Sequence, residues 1–173
     1  MIVRGKVVRL GDDIDTDIII PAKYLVTHDA TILAKHVFED YYPEFRERAK
    51  EDIIIVAGEN FGLGSSREHA VIALKHSNVK AIVAKSFARI FYRNAINLGM
   101  PALVPEEKNR IGEINDGDEV EIHLKKGVLR DLNTGREFSF YKIPDFIVEI
   151  LEAGGLINYF KQKGGKTGEK SLR

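Results

Sequence analysis

Five consecutive apolar residues, Ile53-Ile54-Ile55-Val56-Ala57, lead into a stretch holding Gly58, Gly62 and Gly64, and then into Val71-Ile72-Ala73-Leu74. A short apolar run bounded by glycine has the length and β-branched content of a buried strand, and the second run has helical character. The order repeats downstream. Ala81-Ile82-Val83-Ala84 reads as another buried strand, and a helix over 88–98 stops at Gly99, ahead of Pro101. Strands alternating with helices argue for a parallel or mixed α/β core.

The flanks read differently. Residues 2–10 are β-branched and end at Gly11, which predicts a strand, and the aspartates 12, 13, 15 and 17 follow in a turn-rich loop. That loop lacks the glycine and distal glutamate of a helix-loop-helix calcium site, so Asx turns explain its acids better. Ile18-Ile19-Ile20 predicts a short strand ended by Pro21, and Ile32, Leu33, His36 and Val37 recur at helical spacing behind an Asp29 cap, which predicts a helix near 29–41. The last third carries short strands at 120–124, 128–132 and 137–140, split by Lys126-Gly127 and Asn133-Thr134-Gly135 turns, so a β meander is expected. Pro144 opens a final helix that Gly154-Gly155 caps. One domain over 1–160 is expected, with a flexible, Lys/Gly-rich tail from 161 to 173.

The glycine loop carries the chemistry. Residues 58–70 read Gly-Glu-Asn-Phe-Gly-Leu-Gly-Ser-Ser-Arg-Glu-His-Ala. Glycines let a ligand approach the backbone, and Ser65, Ser66 and Arg67 are expected where a helix presents unpaired N–H groups, an arrangement suited to a carboxylate or phosphate. The same letters match a Ser-x-x-Glu capping box, Ser65 to Glu68, which by itself implies no chemistry. A capping box leaves the glycines unexplained, as well as an arginine whose charge opposes the helix dipole in the first turn. Spacing excludes a P-loop, a dinucleotide fingerprint and a Gly-x-Ser-x-Gly nucleophile elbow.

Composition narrows the partners. The 26 basic residues balance 26 acidic ones, so nothing draws the chain to nucleic acid or a membrane surface. With neither a long apolar span nor a leader-like segment, a cytoplasmic location is expected. There is no cysteine, which excludes disulfides, thiol catalysis and a thiolate-held metal on this chain. The five histidines form no His-x-x-x-His pair, so no metal site is expected.

The run Asn60-Phe61-Gly62-Leu63-Gly64-Ser65-Ser66-Arg67-Glu68-His69, with Asp15-Thr16-Asp17-Ile18 upstream and Lys85-Ser86-Phe87-Ala88-Arg89-Ile90 downstream, resembles the swivelling domain of the aconitase superfamily. The likeness extends from Arg4 to about Tyr159 and is strongest to the free-standing small subunits of isopropylmalate and homocitrate hydro-lyases. It implies an α/β fold of the swivelling β/β/α type with a mixed central sheet. It also implies a hydro-lyase that removes water from a 2-hydroxy acid and returns it at the neighbouring carbon. The superfamily's [4Fe-4S] cluster needs cysteine ligands, so the resemblance puts it on a separate large subunit, the expected partner; without that partner the chain could self-associate.

The resemblance also assigns roles. Ser65 matches the base that takes a proton from carbon, and Asp17 matches an active-site aspartate. Ser66 and Arg67 match residues that hold a substrate carboxylate. A serine is a poor base unless its alkoxide is stabilised, which backbone amides and the Arg67 guanidinium could do. His69 is a candidate for orienting the loop, and Lys85, Arg89 and Arg93 for electrostatic support or subunit contact. Tyr24, Leu25, Val26 and Thr27 match the loop that tunes substrate choice. Homoaconitase-like subunits carry arginine at the position of Val26, and isopropylmalate enzymes an apolar residue. A distal carboxylate buried without a cation is costly, whereas valine suits methyl groups. Isopropylmalate, and with it leucine biosynthesis, is therefore favoured, although Thr27 fits the homocitrate pattern. A regulatory module that only captures an anion is the non-enzymatic alternative.

Overall fold

The computed structural model describes residues 1–170, and its frame is a seven-stranded mixed sheet. Ile2–Arg9 (β1), Ile53–Ala57 (β2), Val79–Ala84 (β3) and Ala102–Leu103 (β4) run parallel, in the order β4-β3-β2-β1. Glu119–His123 (β5) joins the free side of β1 antiparallel, and Val128–Asp131 (β6) and Glu137–Ser139 (β7) extend the sheet as the expected meander.

All five residues of β2 are buried because the sheet is covered on both faces. Ile53 and Ile55 join a core with Val8, Phe38, Phe45, Phe61 and Leu74; Ile54 and Val56 join another with Val7, Val120, Phe138 and Leu151. Short helices Thr16–Ile19 (α1), Ala30–Lys35 (α2) and Phe45–Arg48 (α3), with His69–His76 (α4), supply the first face. Arg89–Asn97 (α5) contributes Phe91 to the first core and Ile96 to the second, while Asp145–Glu152 (α6) packs Val148 and Leu151 on the second face.

Three expectations need correction. Ile18-Ile19-Ile20 is not a strand: Asp15 Oδ1 accepts from the Ile18 N–H at 2.8 Å and starts α1, so a local cap outweighs β-branched propensity. The helix expected near 29–41 begins behind the Asp29 cap but ends at Lys35. Downstream, Phe38 takes a positive φ of 55°, donates its N–H to the Ile19 carbonyl at 2.9 Å and is fully buried. Tertiary burial there overrides the helical period. Pro144 does open a helix, but not the last: the Gly154-Gly155 turn leads into Leu156–Lys170 (α7), whose Leu156 and Tyr159 pack on the second core. Residues 161–170 fall within α7, and 171–173 lie outside the described residues.

Candidate active site

The loops leaving the carboxyl ends of β1, β2 and β3 meet at one end of the parallel strands, the usual place for ligands in α/β sheets. Their polar backbone is satisfied across loops. The Asp13 N–H donates to the Glu59 carbonyl at 2.8 Å, the Gly62 N–H to the Ile14 carbonyl at 2.7 Å and the Phe61 N–H to the Ser86 carbonyl at 3.0 Å. The Ser86 hydroxyl donates to Glu59 Oε2 at 2.6 Å and accepts from the Asn60 N–H at 2.8 Å. Gly62 has φ +86°, and a Cβ there would lie 2.1 Å from Phe91 Cγ, so only glycine passes over that ring.

Ser65 is held by Thr16. The Thr16 N–H donates to the Leu63 carbonyl at 2.7 Å, and Thr16 Oγ1 accepts from the Ser65 N–H at 3.0 Å, which joins the Asp-Thr-Asp segment to the serine loop. On the other side, Asn94 of α5 donates to the Ser66 carbonyl at 3.1 Å. The expected capping box does not form. Helix α4 begins only at His69, with no side-chain cap bond at its start, and Ser65 Oγ accepts from the Arg67 N–H at 3.2 Å in a local Ser turn. Arg67 therefore lies ahead of the helix rather than in its first turn. Among the described residues, its exposed guanidinium makes no ion pair, and the exposed Asp17 carboxylate makes neither an ion pair nor a hydrogen bond.

The loop over 24–27 divides into structural and projecting residues. Tyr24 stacks on His36 at 3.9 Å and donates to Glu39 at 2.7–2.9 Å, which pushes the phenol up and holds the carboxyl below the usual range. Leu25 packs on the first core, and Thr27 Oγ1 accepts from the Asp29 N–H at 3.1 Å. Val26 alone projects, at 90% exposure. His28, two residues after Val26, lays its ring on His69 with centroids 4.7 Å apart, which brings this loop beside the serine loop.

Residues 12–107 match the aconitase C-terminal domain family. The 3-isopropylmalate dehydratase small subunit of Aquifex aeolicus is 55% identical over 161 residues, covering 92% of this chain and 95% of its own length. The chain belongs to the 3-isopropylmalate dehydratase small-subunit family. A small subunit 1 of the family from Methanopyrus kandleri is 51% identical over 168 residues, covering 97% and 98% of the two chains. The crystal structure of 3-isopropylmalate dehydratase from Methanocaldococcus jannaschii matches with a TM-score of 0.90 at 46% identity, over 98% of this chain and 99% of that one.

Within this family fold, Ser65, Ser66 and Arg67 share one loop, and hydrogen bonds through Thr16 place the Asp17 segment against it. Sequence reasoning missed Thr16, Asn94 and Ser86 as supports. Thr16 and Ser86 lay inside quoted motifs, but no local pattern marks Asn94. Lys85 donates its backbone N–H to the Gly58 carbonyl at 3.0 Å, while Arg89 and Arg93 are exposed on α5. A small-subunit chain without cysteine does not fit an iron–sulfur cluster, and no group of three His, Cys, Asp or Glu among the described residues could hold a metal.

Proposed function

We propose that this chain is the small subunit of a 3-isopropylmalate dehydratase, interconverting 2-isopropylmalate and 3-isopropylmalate by dehydration and rehydration in leucine biosynthesis. The observation that carries the reading is Ser65. Its hydroxyl oxygen accepts an N–H from Arg67, whose guanidinium makes no ion pair among the described residues, and its own N–H is fixed by Thr16. A hydrogen-bond donor on the oxygen and a nearby cation both stabilise an alkoxide, which lets a serine act as a base.

In this proposal Ser65 takes the proton from the substrate carbon. The C–H electron pair becomes the alkene bond as the neighbouring hydroxyl leaves. Readdition of water at the other carbon, with the proton returned, completes the isomerisation. Arg67 pairs with a substrate carboxylate, Ser66 donates its hydroxyl to that carboxylate, and Asp17 completes the charged rim. Val26 contacts the isopropyl arm. Thr27, the residue shared with the homocitrate pattern, spends its hydroxyl on the Asp29 N–H and bears on the turn instead.

The proposed partner is a large subunit holding a [4Fe-4S] cluster, which supplies Lewis acidity toward the leaving hydroxyl. Residues 1–160 would move as one swivelling unit against it, and self-association in its absence belongs to the same proposal. No helix among the described residues is long and apolar enough to cross a membrane, and the proposed place of work is the cytoplasm. The test is anaerobic assembly with the large subunit and an assay on 2-isopropylmalate. Wild type turns over, and Ser65→Ala assembles normally with kcat reduced about 10²–10⁴-fold, the usual worth of a positioned base. Near-normal turnover in that variant would remove Ser65 from the role.

A further inference from the structure

His69 is the first residue of α4, two positions after Arg67, and is 5% exposed. Both of its ring nitrogens are buried and neither has a hydrogen-bond partner among the described residues. A buried imidazole without partners lowers stability, whereas a phenyl ring would fill the same place with no polar atom to satisfy. One face of the ring is already set by His28, two positions after Val26, with centroids 4.7 Å apart and planes tilted by 35°. The imidazole is thus oriented by the arm-contacting loop while its nitrogens make no bond.

The segment directly ahead of it is lightly held. Among the described residues, Ser65, Ser66 and Arg67 are tied by the Thr16, Asn94 and Ser65 bonds alone, Ser66 through Glu68 are exposed, and Gly64 at φ +104° precedes them. A loop with few restraints lies beside a buried donor that has nothing to donate to. Costly polar groups retained near a site are where stability is given up for function.

We propose that His69 is a positioning residue for the proposed dehydration: when substrate occupies the site, the Ser65–Arg67 loop moves onto His69 and an imidazole N–H donates to one of its oxygens, fixing Ser65 and Arg67. The His28 stack holds the ring in the orientation that this bond needs. The inference rests on the small-subunit reading, and the experiment separates the two.

The holoenzyme, with its large subunit, is assayed on 2-isopropylmalate as wild type, His69→Phe and His69→Gln. His69→Phe keeps the ring and loses the nitrogens; its Tm is expected to equal or exceed that of wild type while kcat falls about tenfold, equivalent to ~1.4 kcal/mol, with a smaller change in KM. His69→Gln, which restores an N–H, is expected to recover part of kcat despite a lower Tm. Wild-type kcat and KM in His69→Phe would overturn the proposal and leave His69 a core side chain. A kcat loss in His69→Phe that tracks a loss of Tm would overturn it too. If wild type itself does not turn over isopropylmalate, the small-subunit reading fails instead.

Discussion

The two halves of the sheet solve their turns in opposite ways. In the meander, the Asp131–Arg136 turn is closed by its own residues. Asp131 Oδ1 accepts from the Asn133 and Thr134 N–H groups at 2.9 and 3.3 Å, and Thr134 Oγ1 accepts from the Arg136 N–H at 3.3 Å. In the parallel half, each loop is closed by another loop far away in sequence, as Thr16 closes on residues 63–65 and Asn60 Nδ2 on Asp13 Oδ1 at 2.9 Å. A locally closed turn gathers only groups that are already neighbours in sequence. Loops that close on one another bring distant polar side chains to one place, which a reaction with a base and a carboxylate clamp requires.

The largest expected break in this contrast comes from matched glycines. Gly62→Ala should destabilise by about 3 kcal/mol or more, since it adds a left-handed φ to a 2.1 Å clash with Phe91. Gly135→Ala in the meander, at φ +77° with open space around it, should cost only ~1 kcal/mol. Urea titrations of the two variants measure the difference, and equal losses would mean that packing does not separate the halves.

Thr16→Val sharpens the link between loops. It removes the acceptor of the Ser65 N–H while keeping the shape, so kcat should fall about tenfold, with a stability loss of ~1–2 kcal/mol. Steady-state assays beside thermal melts would show whether activity falls further than folding. Val26→Arg tests the projecting loop. Its specificity ratio should shift by roughly tenfold toward a homologue whose arm ends in a carboxylate, because a cation then faces that charge. An unchanged ratio in competition assays would move selection elsewhere.

The smallest effect is expected at Asp118, in the turn that leads into the meander. Burial, and then the Asp131 side chain, raise its carboxyl above the ordinary value, while the Asn115 N–H on Asp118 Oδ2 pulls the other way. A carboxyl raised in the folded state adds stability while protonated and loses it as pH climbs from the unfolded value through the folded one. Asp118→Asn should therefore raise Tm by about 2–4 °C near pH 7, with the gain vanishing toward acid. Melts across that range check the sign.

Legibility followed the range of the deciding interaction. The β2 and β3 runs and the meander turns were readable because apolar continuity and turn chemistry are local properties. Ser65-Ser66-Arg67 was readable as a motif, but its conformation was not: the capping box is a local pattern, and the loop instead follows the Thr16 and Asn94 bonds from elsewhere in the chain. Phe38 shows the same failure in the core. The helical spacing of Ile32, Leu33, His36 and Val37 carries the helix only to Lys35, and beyond it Phe38 takes a positive φ and is buried beside Phe45, with ring centroids 4.9 Å apart.

By itself, then, the sequence determined the alternating α/β frame, the meander, the lack of thiolate ligands and the motifs that mark the family, all set by residue type and short spacing. Only the tertiary structure decided that Val26 projects while Tyr24, Leu25 and Thr27 are occupied, that Arg67 stands ahead of its helix, and that His28 covers His69. Thr27 and Arg67 settle into turns of two or three residues that compete with the helix pattern, while the Tyr24–Glu39 and His28–His69 contacts join separate segments, and no local pattern encodes which competitor wins.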